Sequence, residues 1–168
     1  MNPTAVLFER VGGTSTCGAV TSIRRTPGRP TVLIATIDPE VRKGLSDLLE
    51  RAAINAIWVN GVKDVKVIIA REPIAACLCG FWLQDGTYRE VIRHLRRERL
   101  EIPAIIVSSP ACPQEFRDYF AAMNLRDLDF LSYPYQQSDL DQMLESAIAG
   151  QTDFRAGQAA ELRERGAA

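Results

Sequence analysis

The chain has 168 residues, 46% of them hydrophobic and 24% charged, with a net charge of −1. That balance is ordinary for a globular domain, and the length leaves room for one sizeable core plus a tail or two. A charge so near zero excludes a global field that would gather nucleic acid or anionic lipid, and no apolar run reaches the ~18 residues of a membrane span. The start, "MNPTAVLFERVGG", has an apolar stretch cut by Glu9 and Arg10 and does not read as a signal peptide, so the expected location is cytoplasmic.

Residues 1–30 lack periodicity, are rich in Gly, Thr, Ser and Arg, and close on "RRTPGRP". They read as a flexible N-terminal arm, in which Arg24, Arg25 and Arg29 make no more than a solvated tail. Order begins at "TVLIA", Thr31–Ala35, an apolar run that fits a strand buried on both faces. Asp38 then stands where an N-cap accepts an orphan amide, with Pro39 at the first helical position. Val41, Leu45, Leu48, Leu49 and Ala52 share one face of the helix that follows. "AIWV", Ala56–Val59, is a second strand, closed by the turn pair Asn60-Gly61. In "VKDVKVIIARE", Val62, Val65, Ile68 and Ile69 recur at helical spacing, and that spacing predicts a helix against the β-branched content.

The stretch "CLCGFWLQDG" is a third strand, over Ala75–Cys79, running through Gly80 into a polar loop. Thr87 and Glu90 have the spacing of a capping box. The helix they open turns Val91, Ile92 and Leu95 inward and Arg93, Arg96, Arg97, Glu98 and Arg99 outward. Its segment "RHLRRER" has no interleaved aromatic residue and reads as a solvated helix face rather than a nucleic-acid patch. His94, the one histidine, has no nucleophile or ligand partner beside it in sequence. "IPAIIVSS" is a fourth strand, Ala104–Val107, ending at Ser108 and Ser109. "PQEFRDYFAAM" predicts a short helix packing through Phe116, Phe120 and Met123, and "LDFLSYPY" a fifth strand broken at Pro134. Ser138 is the expected cap of a last helix, with Asp141 completing the box and Leu140, Met143, Leu144 and Ile148 facing the core. Residues 150–168 form a tail with few large apolar side chains.

Apolar strands alternating with amphipathic helices specify an α/β domain over residues 31–149, with a five-stranded parallel sheet doubly wound as (βα)5 in the flavodoxin-like order. The four cysteines, Cys17, Cys77, Cys79 and Cys112, are no disulfide framework. The Cys77-x-Cys79 spacing is poor for structural zinc, which leaves small buried hydrophobes as their expected role.

Three segments, "TVLIATIDPEVRKGLSDLLE", "LQDGTYREVIRHLRRERLEIPAIIVSS" and "LDFLSYPYQQSDLDQML", resemble the receiver domain of two-component response regulators, a likeness covering Thr31–Ala149. The resemblance implies chemistry at the carboxyl end of the sheet. There an acidic pair after the first strand and an aspartate ending the third hold magnesium, and that aspartate takes the phosphoryl group. A Ser or Thr after the fourth strand and a Lys after the fifth contact the phosphoryl oxygens. Carried onto this chain, the acidic pair falls on Thr36 and Ile37, with Asp38 next; the acceptor falls on Gly80, the hydroxyl on Ser108 and the lysine on Tyr133. Only the hydroxyl is kept. Glycine offers no nucleophile, a hydroxyl and a hydrocarbon do not replace two carboxylates on magnesium, and no cation stands at Tyr133. A register shift of one residue brings Cys79 or Phe81 to the acceptor position, neither of them an acid.

The resemblance so modified predicts a degenerate, stand-alone receiver: not an enzyme, without cofactor, its magnesium binding lost. Its pocket is expected to be filled and more apolar, with Tyr133 or Trp82 lying over Gly80. It would act by phosphorylation-independent protein–protein interaction through a surface holding Phe116, Tyr119, Tyr133, Tyr135 and Gln136. The partner would be a histidine kinase, a regulator or a second copy of itself, and neither nucleic acid nor a membrane. Two other readings stand beside it. One is a small-molecule binding protein with its ligand near Gly80, Ser108 and Ser109, where glycine permits close backbone approach, although "ATIDPEV" contains no Gly-rich phosphate loop. The other is a cysteine redox sensor built on Cys79 and Cys112.

Overall fold

The computed structural model describes residues 26–98, 100–115, 118 and 128–150. Its strands in chain order are β1 (Thr31–Ala35), β2 (Asn55–Val59), β3 (Ala76–Gly80), the short pair β4 (Trp82–Leu83) and β5 (Gly86–Thr87), β6 (Ala104–Val107) and β7 (Leu128–Leu131). Among the described residues the helices are α1 (Pro39–Arg51), α2 (Val62–Arg71), α3 (Tyr88–Arg97) and α4 over residues 137–150. Gln114, Glu115 and Asp118 are also helical, and the rest of the helix expected over "PQEFRDYFAAM", with Phe116, Phe120 and Met123, lies outside the described residues. Five strands form one sheet in the order β2-β1-β3-β6-β7, every pair parallel. This is the doubly wound architecture that the alternation of elements specifies.

The central strands are apolar because helices cover both sides of them: every residue of β3 and β6 is buried, and four of the five in β1. One core lies under α2 and α3, around Leu33, Ile57, Val65, Cys77, Cys79, Val91 and Ile106. The other lies under α1 and α4, around Ile34, Leu45, Trp58, Leu78, Ile105, Leu131 and Leu140. Side chains alternate between the two along each strand, as the two-residue period of the pleat requires. The chain leaves β1 to opposite sides of the sheet on its way to β2 and β3, so the switch point falls between β1 and β3. Their carboxyl ends are where an open parallel sheet leaves a crevice.

Local chemistry sets the helix ends. Asp38 caps α1, its carboxylate accepting from the Glu40 amide at 2.9 Å, with Pro39 in the first turn. The capping box of α3 closes as the spacing predicts, the Glu90 carboxylate accepting from the Thr87 amide at 2.8 Å and from its hydroxyl. The last helix departs from expectation: residue 137 is already helical, so Ser138 lies inside α4, its hydroxyl turned to Asp139. Of its expected inward residues Leu140 and Leu144 are buried, and Ala147 rather than Ile148 completes the stripe. At the other end of the domain, Asn55 accepts from the Thr26 amide and donates to the carbonyls of Thr26 and Arg29, tying the segment before β1 to the edge strand β2.

The stretch after Gly80 is not a plain loop. Trp82 pairs with Thr87 and Leu83 with Gly86 in a small antiparallel hairpin, and Leu83 is buried in the core under α2 and α3. Its turn delivers Asp85 to the start of α2, where the residue at the cap, Gly61, has no side chain to offer. The Asp85 carboxylate accepts from the Val62 amide at 2.5 Å and the Lys63 amide at 3.1 Å, capping that helix from 23 residues away. A Cβ at Gly61 would stand 2.8 Å from the same carboxylate, so the glycine leaves space for the cap. Replacing Asp85 by Ala is expected to lower the unfolding free energy by about 1 kcal/mol, as loss of a helix cap does, with Asp85→Asn retaining part of it. Urea unfolding of the three proteins measures both effects.

Candidate functional site

The carboxyl ends of β1, β3, β6 and β7 carry the residues singled out by sequence, and the structure brings Thr36, Gly80, Ser108 and Tyr133 to one edge of the sheet. Thr36 directly follows β1. It is buried at 2% exposure, and its hydroxyl accepts from the Asp38 amide at 3.1 Å. Gly80 is the last residue of β3, paired with Val107 of β6. A Cβ added at Gly80 would lie 3.3 Å from Thr36 Oγ1 and 3.6 Å from both Thr36 Cβ and the Ala35 carbonyl oxygen. The threonine side chain therefore occupies the space into which a side chain at position 80 would grow.

This corrects the expectation that Trp82 or Tyr133 covers Gly80. Trp82 points away from the hairpin and is 71% exposed, and Tyr133 is 38% exposed with its ring packed edge-to-face on Tyr135. Thr36, a small side chain with a hydroxyl, takes the space that was expected to hold an aromatic ring. Ile37 follows at 53% exposure and contributes no ligand atom. Three of the four exposed large apolar side chains among the described residues, Ile37, Trp82 and Tyr133, thus lie in the segments that follow β1, β3 and β7.

Ser108 is wholly buried, and its polar atoms are engaged. Its amide donates to the Leu131 carbonyl at 3.0 Å, and its hydroxyl accepts from the Tyr133 amide at 2.7 Å. Its carbonyl accepts from the Tyr135 hydroxyl. Tyr135 is half-buried against α1, where a Cβ at Gly44 would meet its ring at 3.0 Å. A glycine in the middle of a helix is unfavourable by about 1 kcal/mol relative to alanine, and here it is the sequence signal of a close neighbour that the periodicity does not reveal. Burial first, then the charges of Asp38 and Tyr133, push the Tyr135 hydroxyl well above its ordinary value near 10. Gln136 is exposed beside it, while Phe116 and Tyr119, the other expected surface residues, lie outside the described residues.

The donor set does not fit a magnesium ion. The two positions after β1 offer one hydroxyl, already accepting a backbone hydrogen bond, and a hydrocarbon, while Asp38 is turned to its helix cap and Gly80 has no side chain. Among the described residues no group of three His, Cys, Asp or Glu side chains is placed to hold a metal ion, and no helix is long and apolar enough to cross a membrane.

No family model matches the chain. In sequence it is 22% identical over 120 residues to the response regulator protein PilR of Pseudomonas aeruginosa, a match covering 71% of this chain and 26% of that protein. The chain thus spans about a quarter of the length of the curated relative it matches. In structure it is similar to a sensor protein from Polaromonas sp. JS666 (27% identity, TM-score 0.60, covering 73% of this chain and 98% of that one). It is similar also to the receiver domain of the Francisella response regulator 1452 (15% identity, TM-score 0.57, 73% and 99%). A third neighbour is the receiver domain of the Pseudomonas aeruginosa sensor histidine kinase PA1611, whose active site cleft coordinates magnesium (18% identity, TM-score 0.58, 72% and 98%). The chain has the receiver fold. Within it, Gly80 ends the third strand of the five-stranded sheet, where the resemblance places the phosphoryl acceptor.

Two measurements probe the packing at this edge of the receiver fold. Gly80→Ala is expected to lower stability by about 1 kcal/mol through overpacking, and by less in a Thr36→Ala background, where the 3.3 Å contact is gone; a double-mutant cycle reads the coupling. Tyr135→Phe is expected to cost about 1 kcal/mol at neutral pH for the lost hydrogen bond to Ser108. Because the folded state holds the Tyr135 proton more tightly, its contribution is complete below pH 10 and is lost as pH rises above it. Denaturation midpoints across that range should fall less steeply in the variant.

Proposed function

We propose that the chain is a receiver-type signalling module of the two-component kind that works by protein–protein interaction without phosphoryl transfer. The observation that carries this is Gly80, a residue with no nucleophile, with the Thr36 side chain packed against it. Loss of magnesium binding belongs to the same proposal, since the two positions after β1 supply no carboxylate. So does a division into an N-terminal arm over 1–30, the receiver-like domain over 31–149 and a tail over 150–168. The interaction surface is the carboxyl edge of the sheet and the segment after β7, where Tyr133, Tyr135 and Gln136 stand beside the exposed Trp82 and Ile37. Its partner is a kinase or regulator protein or a second copy of the chain.

The redox reading finds less support. Cys77 and Cys79 are fully buried; burial pushes the Cys77 thiol up to about 12, and burial with the neighbouring Cys77 raises Cys79 as well. Of the two cysteines of the redox reading, Cys79 is not the exposed, low-pKa thiol that a redox sensor uses, and Cys112 is partly exposed.

Incubation with acetyl phosphate and magnesium, read by intact mass, is expected to leave the protein without a phosphoryl adduct. Gly80→Asp alone is expected to leave it so too, because Thr36 crowds the new side chain and the two positions after β1 supply no carboxylate. An adduct on the unmodified chain would overturn the proposal.

A further inference from the structure

Among the described residues, the exposed charges of the neighbouring helices α2 and α3 are all cationic. On α2 the exposed residues are Lys63, Lys66, Val67, Ala70 and Arg71, and on α3 they are Arg89, Arg93, Arg96 and Arg97. Of the acidic residues within the two helices, Asp64 is buried at 8% exposure, and Glu90 is partly exposed with its carboxylate accepting from Thr87 in the capping box. The helices pack side by side into one core through Val65, Ile68, Ile69, Val91, Ile92 and Leu95, so their cations share a continuous surface. His94 lies at their junction. Its Nδ1 is buried without a hydrogen-bond partner among the described residues. Its imidazole is held below the ordinary value first by burial, against the pull of Glu98, and then by Lys66 of α2 and Arg97 of α3. Arg97 also pairs with the exposed Glu98 at 3.1 Å, a contact that leaves both in solvent. On the opposite face of the sheet, by contrast, every charged residue of α4 is acidic: Asp139, Asp141 and Glu145.

Spacing gives this surface a direction. Arg89, Arg93 and Arg97 stand four residues apart, one stripe along α3, and Lys63, Val67 and Arg71 make a parallel stripe along α2. Val67 is 44% exposed in the middle of its stripe, an apolar side chain bracketed by two cations. A polyanion such as DNA would use the cations and leave Val67 in water. A protein segment with carboxylates flanking an apolar residue would use both, with the apolar contact inside and the charges around it.

We propose that the α2–α3 face is a docking surface for an acidic protein segment carrying a large apolar side chain, resting on the reading of the chain as an interaction module and distinct from the edge that holds Gly80. The test uses the full chain and three fluorescent probes: a peptide of Glu-Glu-Leu repeats, an all-Glu peptide of equal length, and a duplex DNA of equal charge. Anisotropy at low ionic strength is expected to show the Glu-Glu-Leu peptide binding more tightly than the other two. The double variants Arg93→Glu/Arg97→Glu and Lys63→Glu/Lys66→Glu are each expected to weaken it about tenfold, and Val67→Ser to abolish the preference over all-Glu. Asp139→Lys/Glu145→Lys, on the far face, should leave binding unchanged. All are exposed positions apart from the packing, and thermal unfolding verifies that each variant folds. Retained peptide binding in both α2 and α3 variants overturns the proposal, as does tighter binding of the duplex. A phosphoryl adduct at the sheet edge would sink the preceding reading and leave these binding results standing, so the two fail separately.

Discussion

At the carboxyl edge of the sheet, β1 and β3 end side by side, and the residue that follows β1 packs against the glycine that ends β3. Ala35 is level with Cys79, and the next positions are Thr36 and Gly80. Adjacent strands lie about 4.8 Å apart, and the threonine leans across to within 3.3 Å of where a Cβ at Gly80 would stand. Much else follows from that contact. The threonine hydroxyl, held there, receives the Asp38 amide, so the turn into α1 is fixed by the same residue that fills the crevice. The edge is then closed by neutral groups. A cluster of carboxylates at this point would repel one another and raise one another's pKa; Thr36, Ile37 and Gly80 carry no charge to repel.

Ser108 stands where the resemblance places a hydroxyl, and the structure gives that hydroxyl a packing role of its own. Amide, hydroxyl and carbonyl all take part in joining β6 to the segment after β7, through Leu131, Tyr133 and Tyr135. Tyr135 in turn rests on the gap left by Gly44 in α1. A buried hydroxyl with a fixed partner serves to hold two strand ends in register, because leaving it unpaired would carry a desolvation penalty of about 1–3 kcal/mol. Asp85 plays the matching role on the other side of the edge, where its hairpin fastens β3 to α2. The loops on which receiver chemistry depends are here stapled to the scaffold by side-chain hydrogen bonds to backbone.

Strand and helix identities were legible because each element is periodic and bounded by its own cap or turn residues: Asp38 before α1, Thr87 with Glu90 before α3, and unbroken apolar runs in β1, β3 and β6. That the third strand runs out at Gly80 was legible too, since the apolar run ends there. What fills the crevice was not. Trp82 is the largest side chain nearby, but in a hairpin alternate residues face opposite ways, and burying Leu83 sends Trp82 outward. The cap on α2 was hidden because its donor and acceptor are 23 residues apart, and a cap search along the chain finds only Gly61. Ser138 has the composition of a cap, yet the helix begins before it, a boundary that local propensity does not fix.

Whole-chain charge misleads for a related reason. A net charge of −1 is a sum over a molecule whose described helices differ in sign, α2 and α3 cationic and α4 acidic. The arginines of α3 read alone as a solvated helix face, because periodicity reports which residues avoid the core and not what stands beside them. Only the sheet order puts α2 next to α3 and α4 on the other side, turning two unremarkable helices into one cationic surface. Potentials at a protein surface depend on such placement within about a Debye length, some 8 Å at physiological salt. The separated charges of this domain are therefore felt locally by whatever approaches each face, though they nearly cancel in the total. A scaffold whose carboxyl edge carries the neutral Thr36 and Gly80 still presents chemically distinct helices on its two faces, and recognition by charge and shape asks for nothing more.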